Sequence, residues 1–290
     1  MGINLGPFAR IVGHNFNNVA RSSVVKIAET QIDDLIVETT AISSDGRKFY
    51  CHVIVDYDGN PSSGVSYLQE YTLSTPMMIG SMALTKNVKL GGRPYIDPGL
   101  FFIPPLGNTA FQFRQFNQRV SLFPLTSPYD LTTLPSTGQY TEEFSLPIDM
   151  LHVAASPDGL EFFSCFKNHG IYRLSLRDPW DFSYLARDQW NYTHYPFNII
   201  AFKPDGRTMY GLESKLGGEV VMHQYALAPW DIDTLSLVGS YSIYKGESPL
   251  PTGLFVSENG KYAYAIISEN NWFAPTNLRF ITKIIQLQIS

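Results

Sequence analysis

A chain of 290 residues can bury a sizeable core, as one large all-β domain or as two smaller ones. Only 16% of it is charged, the net charge is −5 and no run of like charges occurs, which argues against a nucleic-acid or anionic-membrane surface. No stretch approaches the roughly 18 apolar residues of a membrane span. Cys51 and Cys165 are too few for a disulfide framework, and each sits in an apolar strand-like run, as buried free thiols do. Aromatics at 14%, with 22 Gly and 19 Pro, favour many short strands joined by tight turns.

Residues 1–20 are rich in Gly and Asn and lack periodicity, so they read as an N-terminal arm ahead of a single domain over 21–290. Ile3, Leu5, Phe8, Ile11 and Phe16 make that arm apolar for a solvated tail and suggest that it orders against a partner subunit. The stretch has no basic segment followed by an apolar one, so no secretory signal is expected, and Gly6 stands where a myristoylation signal wants Ser or Thr.

A repeat begins after the arm. Hairpin signals occur at Ser44-Asp45-Gly46, Pro105-Leu106-Gly107, Pro157-Asp158-Gly159, Pro204-Asp205-Gly206 and Glu258-Asn259-Gly260. Their glycines lie 61, 52, 47 and 54 residues apart, the range of four-stranded propeller blades. Asp or Asn before Gly marks a tight turn because Gly accepts positive φ at no steric cost. Four residues after each glycine stands an aromatic: Tyr50, Phe111, Phe163, Tyr210 and Tyr264. The next residues, Cys51, Gln112, Ser164, Gly211 and Ala265, are mostly small. Adjacent strand residues face opposite sides, so the aromatic is expected to face one neighbouring sheet and the small residue the other.

Third strands are expected over 68–73, 120–125, 171–176, 221–227 and 283–289. Four are followed by a proline turn, at Pro76, Pro128, Pro179 and Pro229, because Pro cannot donate to a ladder. Asp181 and Asp231 are expected to close Asx turns through Ser183 and Asp233, which makes Trp180 and Trp230 turn residues. Fourth strands are expected over 82–90, 137–146, 185–192 and 237–244. The fifth copy has no room for one, and the strand-like Ser22–Ala28 belongs to no complete unit. The expected fold is an all-β five-bladed β-propeller of four-stranded antiparallel blades, closed by the N-terminal strand. Six blades is the alternative, because Gln31-Ile32-Asp33-Asp34-Leu35 echoes Asp231-Ile232-Asp233-Thr234-Leu235.

The run Pro-Asp-Gly-x-x-Met-Tyr, Gln-Tyr-x-Leu, Pro-Trp-Asp-Ile-Asp-Thr-Leu over 204–235 resembles propeller repeats of bacteriophage, especially marine phage, structural and tail-associated proteins. The Pro-Asp-Gly hairpin is also similar to YVTN and lactonase-type propellers. The likeness to WD40 is superficial, since Trp-Asp lies beyond the third strand and no Gly-His opens the units. The resemblance implies fold more than function. Taken with the arm, it implies a virion structural protein of tail, baseplate or capsid surface, whose partners are other virion proteins or copies of itself. If the chain is not phage-encoded, a cytoplasmic location is expected.

No nucleophile, phosphate-loop or zinc motif is present. His152 and His223 sit in apolar strands and read as hydrogen-bonded core or pore-facing groups. Asp56, Asp58 and Asn60 alternate around Gly59 as calcium loops do, without the distal bidentate Glu. No other cofactor is expected. Exposed aromatics beside Asn suit sugar stacking or protein hot spots, so the candidate binding residues are Trp190, Tyr192, Tyr195, Asn271, Trp272 and Phe273. The expectation is a non-enzymatic assembly or binding module. The alternatives are a lectin-like propeller that binds a host-surface glycan or receptor, and a calcium-dependent lactonase-like hydrolase.

Overall fold

The computed structural model describes residues 24–33, 36–43, 45–55, 65–89, 99–104, 107–114, 119–130, 142–145, 152–166, 170–183, 185–191, 195–197, 199–271 and 279–289. These form an all-β structure with one 3-10 turn, Ile79–Ser81, and no α-helix. Strand β1 (Val24–Asp33) comes first. Sheet 1 follows with β2 (Ile36–Ile42), β3 (Lys48–Val55), β4 (Val65–Leu73) and β5 (Met82–Lys89). Sheet 2 holds β6 (Gly99–Phe102), β7 (Thr109–Arg114), β8 (Arg119–Pro124) and β9 (Glu142–Ser145). Sheet 3 holds β10 (Val153–Ala155), β11 (Glu161–Phe166), β12 (Gly170–Leu176) and β13 (Leu185–Asn191). Sheet 4 holds β14 (Ile199–Phe202), β15 (Thr208–Lys215), β16 (Glu219–Ala228) and β17 (Asp231–Lys245). Sheet 5 holds β18 (Pro249–Val256), β19 (Tyr262–Asn271) and β20 (Arg279–Ile289).

Sheets 1 to 4 are antiparallel meanders in chain order, and β1 completes sheet 5 as its outer strand in the order β18-β19-β20-β1. Val24 pairs with Ile289 and Asp33 with Ile281. The expected N-terminal strand thus pairs with β20 and runs five residues further than Ala28. Gln31, Ile32 and Asp33, which suggested a sixth unit, belong to it.

Three of the five hairpins between first and second strands are held the same way. Ser43 Oγ donates to Asp45 Oδ1 at 2.6 Å and accepts the Lys48 amide at 2.9 Å. Ser156 repeats this with Asp158 and Glu161, and Ser257 with Asn259 and Tyr262. The glycine then takes positive φ, from 64° to 72° across Gly46, Gly107, Gly159, Gly206 and Gly260.

A second left-handed residue covers that glycine in sheets 1 to 4. Met77, Tyr129, Trp180 and Trp230, each directly after the turn proline, have φ of 64°, 57°, 62° and 60°. Their amides donate to the carbonyls of Gly46, Gly107, Gly159 and Gly206 at 2.7, 2.8, 3.0 and 3.0 Å. Their side chains lie flat on the glycine, so a Cβ there would stand 2.6, 2.3, 2.2 and 2.4 Å from them. A bulky residue at positive φ is unusual and costs about 1–3 kcal/mol. Here the lost peptide preference is offset by a ring or thioether packed on backbone. The expected Asx turns are present, with Ser183 and Asp233 amides on Asp181 and Asp231 Oδ1 at 2.9 and 3.2 Å.

The aromatic after each hairpin is buried to 1% exposure or less. Tyr50 packs with Ile103 and Ala110 of sheet 2, and Phe111 with Phe162 and Leu174 of sheet 3. Phe163 packs with Ile200 and Met209 of sheet 4, and Tyr210 with Ala263 and Ala265 of sheet 5. Tyr264 packs with Phe49 and Cys51 of sheet 1. Every aromatic therefore faces the following sheet, and its strand neighbours face the preceding one. Full burial of such a side chain contributes about 1.5–3 kcal/mol.

Two of the three tyrosines also lock onto the next cap. Tyr50 Oη donates to the Tyr129 carbonyl at 2.9 Å and Tyr264 Oη to the Met77 carbonyl at 2.6 Å. Tyr210 faces sheet 5, where no described residue caps Gly260, and its buried hydroxyl has no partner. Loss of a satisfied buried hydroxyl costs about 1 kcal/mol, whereas loss of an orphan costs little or stabilises. Urea unfolding is therefore expected to show Tyr50→Phe and Tyr264→Phe each about 1 kcal/mol less stable, and Tyr210→Phe equal to the parent or more stable. Gly206→Ala, which needs both positive φ and the space of the Trp230 ring, is expected to lose about 2 kcal/mol or more.

Candidate functional site

The residues four before each hairpin glycine are Ile42, Ile103, Ala155, Phe202 and Val256, and all five line one cavity of about 360 Å³. They stand at or just after the ends of the first strands, each an edge strand of its sheet. Phe102, Phe255 and the cap residues Tyr129 and Trp230 add aromatic surface to the wall. Trp230 is itself fixed by Phe202 and Phe163, with ring centroids 5.3 and 5.9 Å away.

Besides the caps Tyr129 and Trp230, the polar residues that line this wall are His152, Ser156 and Glu258. The Ser156 hydroxyl is engaged inside its own hairpin. Glu258 stands in an exposed turn, where partial burial moves its carboxyl above the usual range. His152 is 8% exposed, and burial pushes its pKa down to about 4, so the ring is neutral near pH 7. Its Nδ1 is buried without a hydrogen-bond partner. The site is an apolar, aromatic-walled chamber with few polar groups.

His223 is different. Its Nε2 and Nδ1 lie 2.8 Å from Glu213 Oε2 and 2.8 Å from Ser240 Oγ, so both ring nitrogens are engaged within sheet 4. This matches the reading of a hydrogen-bonded core histidine. Cys51 and Cys165 are free and buried, and burial pushes both thiols up. Among the described residues no group of three or more His, Cys, Asp and Glu side chains could hold a metal ion, and no helix is long and apolar enough to cross a membrane.

Asp56, Asp58, Asn60, Tyr192, Trp272, Phe273 and the arm residues Ile3, Leu5, Phe8, Ile11 and Phe16 lie outside the described residues. Trp190 is in β13 opposite Tyr172, and Asn271 ends β19 opposite Arg279. Tyr195 is half-buried, stacks on Phe197 at 5.0 Å and meets Tyr225 edge-on at 5.8 Å, within the packing between sheets 3 and 4. Sequence reasoning read His152 as a hydrogen-bonded core or pore-facing group and missed the wall around it. The signal was available: the hairpin alignment also aligns Ile42, Ile103, Ala155, Phe202 and Val256.

No family model matches the chain, and no curated protein matches it. Among solved structures it is similar to hydrazine synthase of Kuenenia stuttgartiensis, with 14% identity and a TM-score of 0.42 over 83% of this chain and 58% of that one. This chain thus spans little more than half of that structure. A protein of unknown function from Desulfotomaculum acetoxidans gives 16% identity and a TM-score of 0.42 over 84% of this chain and 68% of that one. A candidate 6-phosphogluconolactonase from Bacteroides uniformis gives 17% and 0.41 over 83% and 70%.

The depressed His152 pKa sets a sign for pH dependence. The unfolded chain takes up the proton near pH 6.5 and the folded one near 4. The neutral form is favoured in the fold, so stability is full above pH 6.5 and falls as pH drops towards 4, by about 3 kcal/mol in all. Chemical unfolding at steps between pH 7 and 4 is expected to show this loss in the parent and a flatter profile in His152→Leu.

Proposed function

We propose that the five sheets are blades of a closed five-bladed propeller, with β1 as the closing strand, and that the chain is a non-enzymatic binding and assembly module. The observation that supports this best is the meeting of five equivalent residues, one per sheet, around a single cavity. The packing clusters agree with closure, since they run from each sheet to the next and from sheet 5 back to sheet 1. Closing a ring through a mixed terminal sheet removes a seam at which edges would part.

The polar pairs that recur in three of the five units are engaged in turn chemistry: Ser43 with Asp45, Ser156 with Asp158, and Ser257 with Asn259. What remains for function differs between units, as in a rigid disc whose loops carry binding. The Pro-Trp-Asp repeat, by its likeness to phage structural propellers, suggests a virion protein of tail, baseplate or capsid surface. Ile3, Leu5, Phe8, Ile11 and Phe16 are then the apolar contacts that the arm offers to virion neighbours or to copies of this chain.

Incubation of the full chain with a panel of lactones and polysaccharides, with and without added calcium, tests the non-enzymatic part. No turnover is expected, and cation-dependent turnover contradicts the reading in favour of a lactonase-like hydrolase. Glycan-array binding that Trp272→Ala abolishes at unchanged melting temperature would instead make this a glycan-binding receptor module.

A further inference from the structure

We propose that the uncapped hairpin glycine of sheet 5 is a docking site for the chain's own segment Gly6-Pro7-Phe8, with the Phe8 ring lying on Gly260 and the Phe8 amide donating to the Gly260 carbonyl. The N-terminal part of the chain then supplies sheet 5 with its cap as well as its outer strand.

The site is built but uncovered. Gly260 has φ of 64°, against 66° to 72° for the four capped glycines, so its turn is the same. Gly46, Gly107, Gly159 and Gly206 are buried beneath their caps, whereas Gly260 is half-buried. A Cβ on Gly260 would meet nothing nearer than Pro204 Cδ at 3.6 Å, where the capped glycines meet a side chain at 2.2 to 2.6 Å. Each of the four caps also donates its amide to the glycine carbonyl, and among the described residues no backbone amide donates to that of Gly260.

The four filled sites select the occupant. Each takes a proline followed by a long side chain: Pro76-Met77, Pro128-Tyr129, Pro179-Trp180 and Pro229-Trp230. In each sheet that pair precedes the fourth strand along the chain. The fourth strand of sheet 5 is β1, so its cap belongs upstream of Val24. Pro7 is the sole proline there, and Phe8 follows it. Strand β1 begins beside the open site, since Val24 pairs with Ile289, whose amide donates to the carbonyl of Lys261, next to Gly260. Phe8 stands 16 residues before Val24, and in sheet 2 the cap Tyr129 stands 13 before Glu142, so the spacing has a precedent in this fold. The likeness ends at the pair: Ile79, Phe182 and Ile232, two residues after three of the caps, are buried, whereas Arg10 holds that place in the arm and Ile11 follows it. A bond from a tyrosine hydroxyl to the cap carbonyl occurs at two of the four filled sites and is not part of the assignment. Phe8 is thereby engaged within its own chain, which leaves Ile3, Leu5, Ile11 and Phe16 to the neighbours of the binding-module reading.

Proton NMR of the full chain with labelled glycine is the test, because a proton above the face of an aromatic ring shifts upfield. Gly107, Gly159 and Gly206 lie under the rings of Tyr129, Trp180 and Trp230 and serve as internal controls. One α proton of Gly260 is expected to shift upfield with theirs and to show a nuclear Overhauser contact with the Phe8 ring. Phe8→Leu is expected to return the Gly260 signal alone to its ordinary position, and Phe8→Tyr to keep it shifted. Unchanged control signals establish that each variant is folded. An unshifted Gly260 α proton in the parent, or an upfield shift that survives Phe8→Leu, overturns the proposal. So does recovery of the shift when labelled Phe8→Leu chain is mixed with unlabelled parent, because the cap then comes from a second copy.

Discussion

The architecture depends on one contact repeated around the molecule. A hairpin glycine at positive φ leaves a bare patch of backbone, and a left-handed residue after the turn proline lays its side chain on it. That contact ties the first hairpin of a sheet to the end of its third strand. The cap amide donates to the glycine carbonyl, and the strand's last leucine donates to the residue just past the glycine, as Leu176 does to Leu160 and Leu227 to Arg207. With those ends fixed, the second strand has one orientation, and its aromatic must project towards the next sheet. Packing between sheets is therefore a consequence of turn chemistry within each sheet.

The same logic explains where the structure departs from its own pattern. Sheet 5 takes its outer strand from the opposite end of the chain, so its hairpin glycine lacks a cap among the described residues, and the tyrosine that points at it is left unpaired. The cap site and Tyr210 are two ends of one interaction. In sheet 1 a methionine serves in place of an aromatic. Its carbonyl accepts from both Tyr264 and Gln286, the latter at 2.8 Å, which joins β20 to the turn of the neighbouring sheet.

Much of the fold was legible in the sequence because turns have local chemistry. Asp-Gly, Asn-Gly and Pro-Trp-Asp fix backbone conformations within a few residues, so the hairpins, the third and fourth strands and the N-terminal strand fall close to their expected places. The long-range content was less accessible. Nothing local announces that Trp180 and Trp230 occupy positive φ, because such a residue is stable only with a glycine more than twenty positions upstream beneath it. The cavity was hidden for a related reason. Ile42, Ala155 and Phe202 share a position in the repeat but not a residue type, so no motif marks them. The residues chosen for conspicuous chemistry, such as Tyr195, were conspicuous for being aromatic, and aromatics here chiefly join one sheet to the next.

Interlocking of all five sheets through β1 is the central claim, and native-state hydrogen exchange measures it most directly. If the ring is closed, the β1 and β20 amides exchange only through the same global opening as those of β11 and β15, with equal free energies. Exchange of β1 through a local, low-energy opening while β11 and β15 stay protected would contradict the account.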